Sequence, residues 1–306
     1  MARILRYRAL KTDEGRTAGE VIRREFALVA HDMARAKYRT EKGITVNGEQ
    51  VMVNRKLHEG DELAVCLACE LPGKIVPVKG PLEILYEDED VIALNKPAGL
   101  VVHPSHGHFA DTMANFLAQY YLDSGEPHEV RTVGRLDKDT SGVILFGKNR
   151  TACAHLTAQA SRGELVKTYL AVAEGIFAEE SGCVEAPISR EYEEKIRRVV
   201  REDGDYALTH YRVLKALDGR TLLSLRIDTG RTHQIRVHMA HIGHPLSGDP
   251  IYGTPSELFE RAALHAGRIA FRQPYSHEEI VVESPLPPDF VRFLGEDSLD
   301  IAMAWC

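Results

Sequence analysis

The sequence has no uninterrupted apolar run near the roughly 18 residues that a membrane-spanning helix requires. Its longest apolar stretches, such as VIALNKPAGLVV at 91–102, are broken by Lys96 and Pro97. No secretory leader is evident, and 5 cysteines is an odd number. These features set the expectation of reduced thiols, a cytoplasmic location and no membrane partner. No repeat of fixed period emerges, which excludes solenoids and propellers. βαβ units do not recur either, which excludes a doubly wound parallel sheet. Cys66 and Cys69 form one Cys-x-x-Cys without a second pair at zinc spacing, and on a strand-like run they read as small apolar side chains. His233, His238, His241 and His244 crowd together. The three-residue spacing of His238, His241 and His244 and the lack of an accompanying carboxylate before Asp249 argue against a metal site.

What is present is an ordinary globular composition, 44% hydrophobic and 27% charged, in a chain of 306 residues. That length suits a large domain plus a smaller one. The net charge of −7 is uneven: residues 1–57 carry 13 Lys+Arg against 7 Asp+Glu, a net of +6, leaving 25 against 38, a net of −13, in 58–306. The asymmetry sets a basic, anion-seeking module at the N-terminus. Apolar spacing over 16–42 predicts two short amphipathic helices. Asn47-Gly48 between alternating residues predicts a hairpin, and LHEGDELAVCL (57–67) a further turn and strand. Three prolines and two glycines mark 71–81 as a linker, dividing the chain into 1–70 and 82–306. Strand patterns then mix irregularly with helices at 112–122, 150–163 and 232–243. The expected class is α+β, with a large mixed, mostly antiparallel sheet flanked by helices and a small α/β N-terminal domain.

Taken alone, GRLDKDTSG (134–142) reads as a solvated turn, because Asp and Ser side chains cap nearby backbone N–H groups. Its company changes that reading. In order along the chain stand NKPAGLVVHPS (95–105), GRLDKDTSG, KTYLAV (167–172), DTGRTHQIRVHMAHIGHPLSGDPIYG (228–253) and LHAGRIAF (264–271). Together they resemble the RluA-type pseudouridine synthase family over essentially the whole chain. The basic helices followed by VNG…L…GD resemble the S4 RNA-binding module, with VAHDMAR (29–35) where a Ser-Arg pair is usual. Gly134 stands where many relatives carry His, so a histidine there is not essential.

The resemblance implies isomerisation of uridine within RNA. The glycosidic bond breaks, the uracil turns, and C5 joins the ribose carbon that N1 left. Nothing is hydrolysed or oxidised, so the reaction calls for no metal or redox cofactor. It calls for one carboxylate and a pocket sealed from water. Asp137 matches the catalytic aspartate, whereas Asp139 suits turn capping and Asp228 a solvated strand end. Tyr169 matches the active-site tyrosine, its ring stacking on uracil and its hydroxyl helping to remove the C5 proton. Arg236 matches an arginine expected to grip Asp137 with a bidentate guanidinium. Arg135 would fill the space left by the extruded base. Ile235 and Leu264 would wall the uracil, and Arg231 and His233 are further substrate contacts. Lys96 is placed either to meet phosphate or to stand exposed on its turn. In the S4-like part Arg35, Lys37, Arg39 and Lys42 either contact phosphate or form a solvated face.

The implied partner is structured RNA, ribosomal in preference to transfer RNA, with no protein partner and a monomeric chain. To reconcile this with the acidic balance of 58–306, Arg131, Arg135, Lys148, Arg162, Lys167, Arg231 and Arg236 are expected to gather in one cleft. A rival of another class is an RNA-binding or ribosome-assembly protein that keeps the fold without the chemistry. The joint presence of Asp137, Tyr169 and Arg236 disfavours it. A glycosidase is more distant, because hydrolysis pairs two carboxylates across the bond.

Overall fold

The N-terminal part of the computed structural model, which describes residues 3–40, 42–67, 73–125, 128–192 and 196–295, begins with β1 (Ile4–Arg8) and two helices, α1 (Ala18–Phe26) and α2 (Ala30–Arg39). Helix α1 starts where Thr17 and Glu20 cap each other: Glu20 N–H donates to Thr17 Oγ1 and Thr17 N–H donates to Glu20 Oε2 at 2.8 Å. The hairpin of β2 (Ile44–Val46) and β3 (Glu49–Gln50) turns at Asn47 and Gly48, with φ of 53° and 81°. Asn and Gly are the residues that tolerate two successive left-handed positions. With β4 (Glu62–Cys66) these strands form a sheet in the order β1-β4-β2-β3. Val21, Ile22 and Phe26 of α1 pack on its Leu5, Ile44, Leu63 and Val65. Cys66 lies on β4, while Cys69 and the first two positions of the expected linker fall outside the described residues. Residues 73–83 carry neither helix nor strand.

The second sheet is built from β5 (Ile84–Glu87), β6 (Val91–Lys96), β7 (Thr132–Val133), β8 (Ser141–Gly147), β9 (Val166–Glu174) and β10 (Ser181–Glu185). A separate hairpin, β11 (Ile188–Arg190) and β12 (Arg198–Val200), precedes the sheet strands β13 (Leu208–Leu217), β14 (Arg220–Ile227), β15 (Leu264–Arg272) and β16 (Glu279–Glu283). The helices are α3 (Met113–Asp123), α4 (Arg150–Ser161), α5 (Gln234–His241) and α6 (Pro288–Leu294). Strand order is β10-β13-β14-β9-β15-β8-β6-β5, with β16 also on β15 and β7 also on β8. Among the described residues β15 with β8 is the parallel pair and the other pairings are antiparallel, an α+β arrangement.

Both faces of this sheet are covered, so its central strands read as apolar runs with little alternation. In β6 and β8, Ile92, Leu94, Ile144 and Phe146 meet Met113, Leu117 and Tyr121 of α3. Val91, Ala93, Val143 and Leu145 on the other face meet Leu156 of α4. Along β9, Tyr169 and Ala171 point toward the α3 side, and Leu170 and Val172 toward Phe259, Phe290 and Phe293. That alternation turns Tyr169 to the face where Asp137 lies. The two sheets are joined by the Arg3 guanidinium, which forks onto buried Asp90 at 3.0 and 2.9 Å, and by Tyr275, which packs against the N-terminal core.

Candidate active site

Asp137 sits in the turn between β7 and β8, and its carbonyl accepts the Thr140 N–H at 3.2 Å. A cavity of about 60 Å³ lies over it, lined by Arg135, Asp137, Tyr169, Arg231, His233, Ile235, Arg236 and Leu264 among others. Residues spread from the β7–β8 turn to the start of β15 thus meet at one point. The cavity opens into a cleft of about 880 Å³ that shares Arg135, Leu136, Asp137, Gly230 and His233 and is flanked by Val101–Ser105 and Ile196. Tyr169, Ile235 and Leu264 are buried, while Arg135 and Arg231 are exposed at the mouth.

The electrostatics differ from the expected pairing. Arg236 does not grip Asp137 with its fork. Its Nε and Nη2 donate to Asp249 at 2.7 and 2.6 Å, and Nη1 stands 3.9 Å from Asp137 Oδ2. The reason is burial. Asp249 is fully buried, and an unpaired carboxylate there would be very costly, so the bidentate geometry is spent on it. Burial pushes the Asp249 carboxyl up, but the Arg236 guanidinium and the Ile251 and Tyr252 N–H groups prevail and hold it below its ordinary value. Asp137 therefore faces one edge of a cation whose other edge is already fixed.

His233 enters α5 in the left-handed region, at φ 59°. Its Nε2 is 4.0 Å from Asp137 Oδ2 and its Nδ1 is 2.8 Å from the Tyr252 hydroxyl. Burial depresses its basicity more than Asp137 restores it, which keeps the imidazole neutral at neutral pH. Burial and then the Asp137 charge raise the Tyr169 phenol well above its ordinary range. The hydroxyl stays protonated at neutral pH, so Tyr169 offers the cavity a neutral ring and a proton donor rather than a base.

Lys96 also departs from expectation. It is neither exposed nor available to phosphate: fully buried, its Nζ donates to the carbonyls of Lys138 (2.7 Å), Pro97 and Leu100 (both 2.9 Å). Burial lowers it to about 7. The β6 end is thereby tied to the turn that carries Asp137. The expected basic cleft is smaller too. Arg135, Arg231 and Arg236 line the cavity, but Lys148 pairs with Glu87 at 2.9 Å and Arg162 with Glu164 at 2.7 Å. Arg131 is drawn to Glu129, and the Lys167 ammonium reaches the Val133 carbonyl at 3.4 Å. Local acids and carbonyls claimed these cations first.

On α2, Arg35 and Lys37 are half-buried, and Lys37 Nζ lies 4.6 Å over the Tyr38 ring. Lys42 is exposed in a left-handed turn, and the Arg39 side chain lies outside the described residues. The histidines of 233–244 do not converge. His238 is buried between Thr209 and the Ala186 carbonyl, and His244 meets the Glu174 carbonyl. Asp228 pairs with His210 at 3.0 Å, away from the cavity lining. The sequence reading missed Asp249 as the partner of Arg236. A signal existed, since Asp249 is the sole acid between Asp228 and Glu257.

The family model for RNA pseudouridylate synthase matches residues 90–241. The chain is 42% identical over 248 residues to the uncharacterized RNA pseudouridine synthase YhcT of Bacillus subtilis, covering 80% of this chain and 82% of that protein. It is 38% identical over 268 residues to ribosomal large subunit pseudouridine synthase D of Haemophilus ducreyi, covering 82% of each. Among solved structures, human RNA pseudouridylate synthase domain containing 1 superposes with a TM-score of 0.56 at 27% identity, covering 71% of this chain and 87% of that one.

Proposed function

The chain belongs to the RluA-type RNA pseudouridine synthases, which are isomerases, and from that premise we propose that it converts uridines of ribosomal RNA with Asp137 as the catalytic carboxylate. The observation that carries this reading is the cavity itself. A half-buried carboxylate faces a neutral aromatic ring and two aliphatic walls, Ile235 and Leu264, with one guanidinium edge at 3.9 Å. Such a site fits a flat, uncharged base, which when seated displaces from the cavity the water that would capture an opened sugar.

In this reading the target uridine leaves its stack, at a cost of a few kcal/mol, and Arg135 at the mouth occupies the space it vacates. Asp137 stabilises the positive charge that develops as the C1′–N1 bond breaks. Arg236 Nη1 faces and orients that carboxylate, its own plane fixed by Asp249. The freed uracil, carrying the electron pair of the broken bond on N1, rotates against Tyr169; C5 bonds to C1′, the C5 proton is lost to solvent and N1 takes up a proton. Residues 1–70 act as an S4-like RNA-binding module, with Arg35, Lys37, Arg39 and Lys42 meeting phosphate without reading sequence. The large-subunit substrate named for the Haemophilus relative supports ribosomal over transfer RNA. We place the enzyme in the cytoplasm as a monomer.

The test uses ribosomal and transfer RNA carrying tritium at C5 of uridine, since forming the carbon–carbon bond expels that hydrogen. The native chain releases tritium from ribosomal RNA, and Asp137→Asn lowers the rate by more than about 10³-fold while still binding RNA. Release from transfer RNA alone would reverse the substrate assignment. Undiminished release by Asp137→Asn would remove Asp137 from its role.

A further inference from the structure

Beside the Asp137 cavity lies a second one of about 260 Å³, lined by Ile188, Ser189, Arg190, Arg198, Asp205, Gly230, Arg231 and Thr232. Its wall from Gly230 to Thr232 is shared with the Asp137 cavity. We propose that this cavity seats a backbone phosphate of the RNA strand whose uridine occupies the Asp137 cavity, with Arg190, Arg198 and Arg231 as its cationic wall. The assignment rests on the function proposed above and adds the subsite that anchors the strand.

Three separate segments deliver those arginines: β11, β12 and the loop before α5. Against three guanidinium groups the lining sets one carboxylate, Asp205, which lies 3.3 Å from Arg231 Nη1, while Arg231 Nε donates to the Tyr206 carbonyl. Ser189 and Thr232 add hydroxyls suited to phosphate oxygens. Arg198 is where the crowding shows. Burial and then the Arg190 charge work against its protonated form, with Arg135 adding to them and Tyr252 and Asp137 only partly offsetting. Cations gathered this way are relieved by an entering anion. Position selects which anion. A backbone phosphate is separated from its base by one ribose, and here the base cavity and the cationic cavity are separated by one shared wall. Arg198 is also held in place by its backbone, whose N–H donates to the Tyr252 hydroxyl at 2.8 Å, the same hydroxyl that meets His233.

The experiment measures binding of a short fluorescein-labelled oligouridylate across a salt series, and KM and kcat for tritium release from ribosomal RNA. Native chain, Arg198→Ala, Arg198→Lys and Arg190→Ala are compared, with thermal unfolding to verify folding. Loss of one phosphate contact flattens the slope of log affinity against log salt by about 0.7 for a single strand. We expect that flattening in Arg198→Ala and Arg190→Ala, its recovery in Arg198→Lys, and a rise in KM of about tenfold that exceeds any fall in kcat. An unchanged slope in both alanine variants overturns the seat, as does a fall in kcat alone. Should Arg198→Ala not fold, Arg190→Ala and Arg198→Lys carry the same comparison. If the native chain releases no tritium, the proposed function fails, yet the oligouridylate slope still decides whether the cavity takes phosphate.

Discussion

Two buried carboxylates, each clasped by an arginine, serve the two sheets in different ways. In the N-terminal sheet Asp13 is fully buried, accepts the Tyr7 hydroxyl at 2.8 Å and the Leu10 N–H at 2.9 Å, and lies 2.7 Å from Arg24. Arg24 is 37% exposed, so the clasp closes outward into solvent. In the second sheet Asp249 is equally buried, but Arg236 is only 4% exposed, and the edge it does not give to Asp249 is turned toward Asp137. The first clasp pins a turn. The second holds a cation under a cavity. The two clasps differ in that the second keeps its cation from water and leaves one guanidinium edge 3.9 Å from a second carboxylate.

Breaking the second clasp should have the largest effect. Asp249→Asn leaves the Arg236 charge uncompensated, and urea denaturation should show a loss of about 3–5 kcal/mol. Tritium release should fall in the same variant, since Arg236 is then free to swing. The sign with pH follows from the depressed carboxyl of Asp249. Its stabilisation is present above its unfolded value of about 4 and is lost as pH falls through the folded value, so the gap to Asp249→Asn closes in acid.

Lys96 is a buried cation without a carboxylate clasp, and it titrates in the opposite sense. Burial places it near 7, below its unfolded value of about 10.4, so the unfolded chain binds the extra proton between those limits. Native stability should therefore rise with pH across that window relative to Lys96→Met, by on the order of 1 kcal/mol per pH unit. Parallel denaturation curves at both ends of the window would contradict this.

Asp13→Asn sharpens the comparison from the other side. The Arg24 side chain beside Asp13, with Leu10 and Tyr7, holds that carboxyl at about 2. The loss expected at neutral pH is about 1–2 kcal/mol, discounted because Arg24 meets solvent, and it should vanish between about pH 4 and 2. KM for RNA should move less than in Asp249→Asn. The smallest change in stability is expected for Arg35→Ala, Lys37→Ala and Lys42→Ala combined, within about 0.5 kcal/mol in denaturation. RNA affinity in that triple variant should nevertheless weaken and lose part of its salt dependence.

Much of the architecture was legible because local chemistry and tertiary demand agreed. Asn47-Gly48 could hardly be anything but a hairpin, and the spacing of Val21, Ile22 and Phe26 describes the buried side of α1. The α+β class followed from irregular mixing of strand and helix patterns. Asp137, Tyr169, Ile235 and Leu264 were named from motifs, and the fold brings them to one cavity. The pairings were less legible. Which acid Arg236 grips depends on which carboxylate is buried, and that is a property of packing between α5 and the 246–253 loop. Lys96 looked like a turn cation because its sequence neighbours are Pro97 and Gly99, while the carbonyl that holds it most closely belongs to Lys138, far along the chain. The hairpin β11–β12 is not legible because its strands are three residues long, too short to display an alternating pattern.

The placement of β15 also constrains the order in which the protein can be made. This strand leaves the ribosome after β5 through β14, yet it takes a central place between β9 and β8. Until Leu264–Arg272 has been synthesised, the strands already made cannot close into one sheet, and two interior edges stay without their partner. Leu264 also walls the cavity over Asp137, so a nascent or truncated chain lacking β15 holds Asp137 in an unfinished pocket. Sequence-distant pairing of this kind slows folding and exposes strand edges while the chain waits. Completion of the sheet and completion of the Asp137 cavity therefore wait on the same late strand.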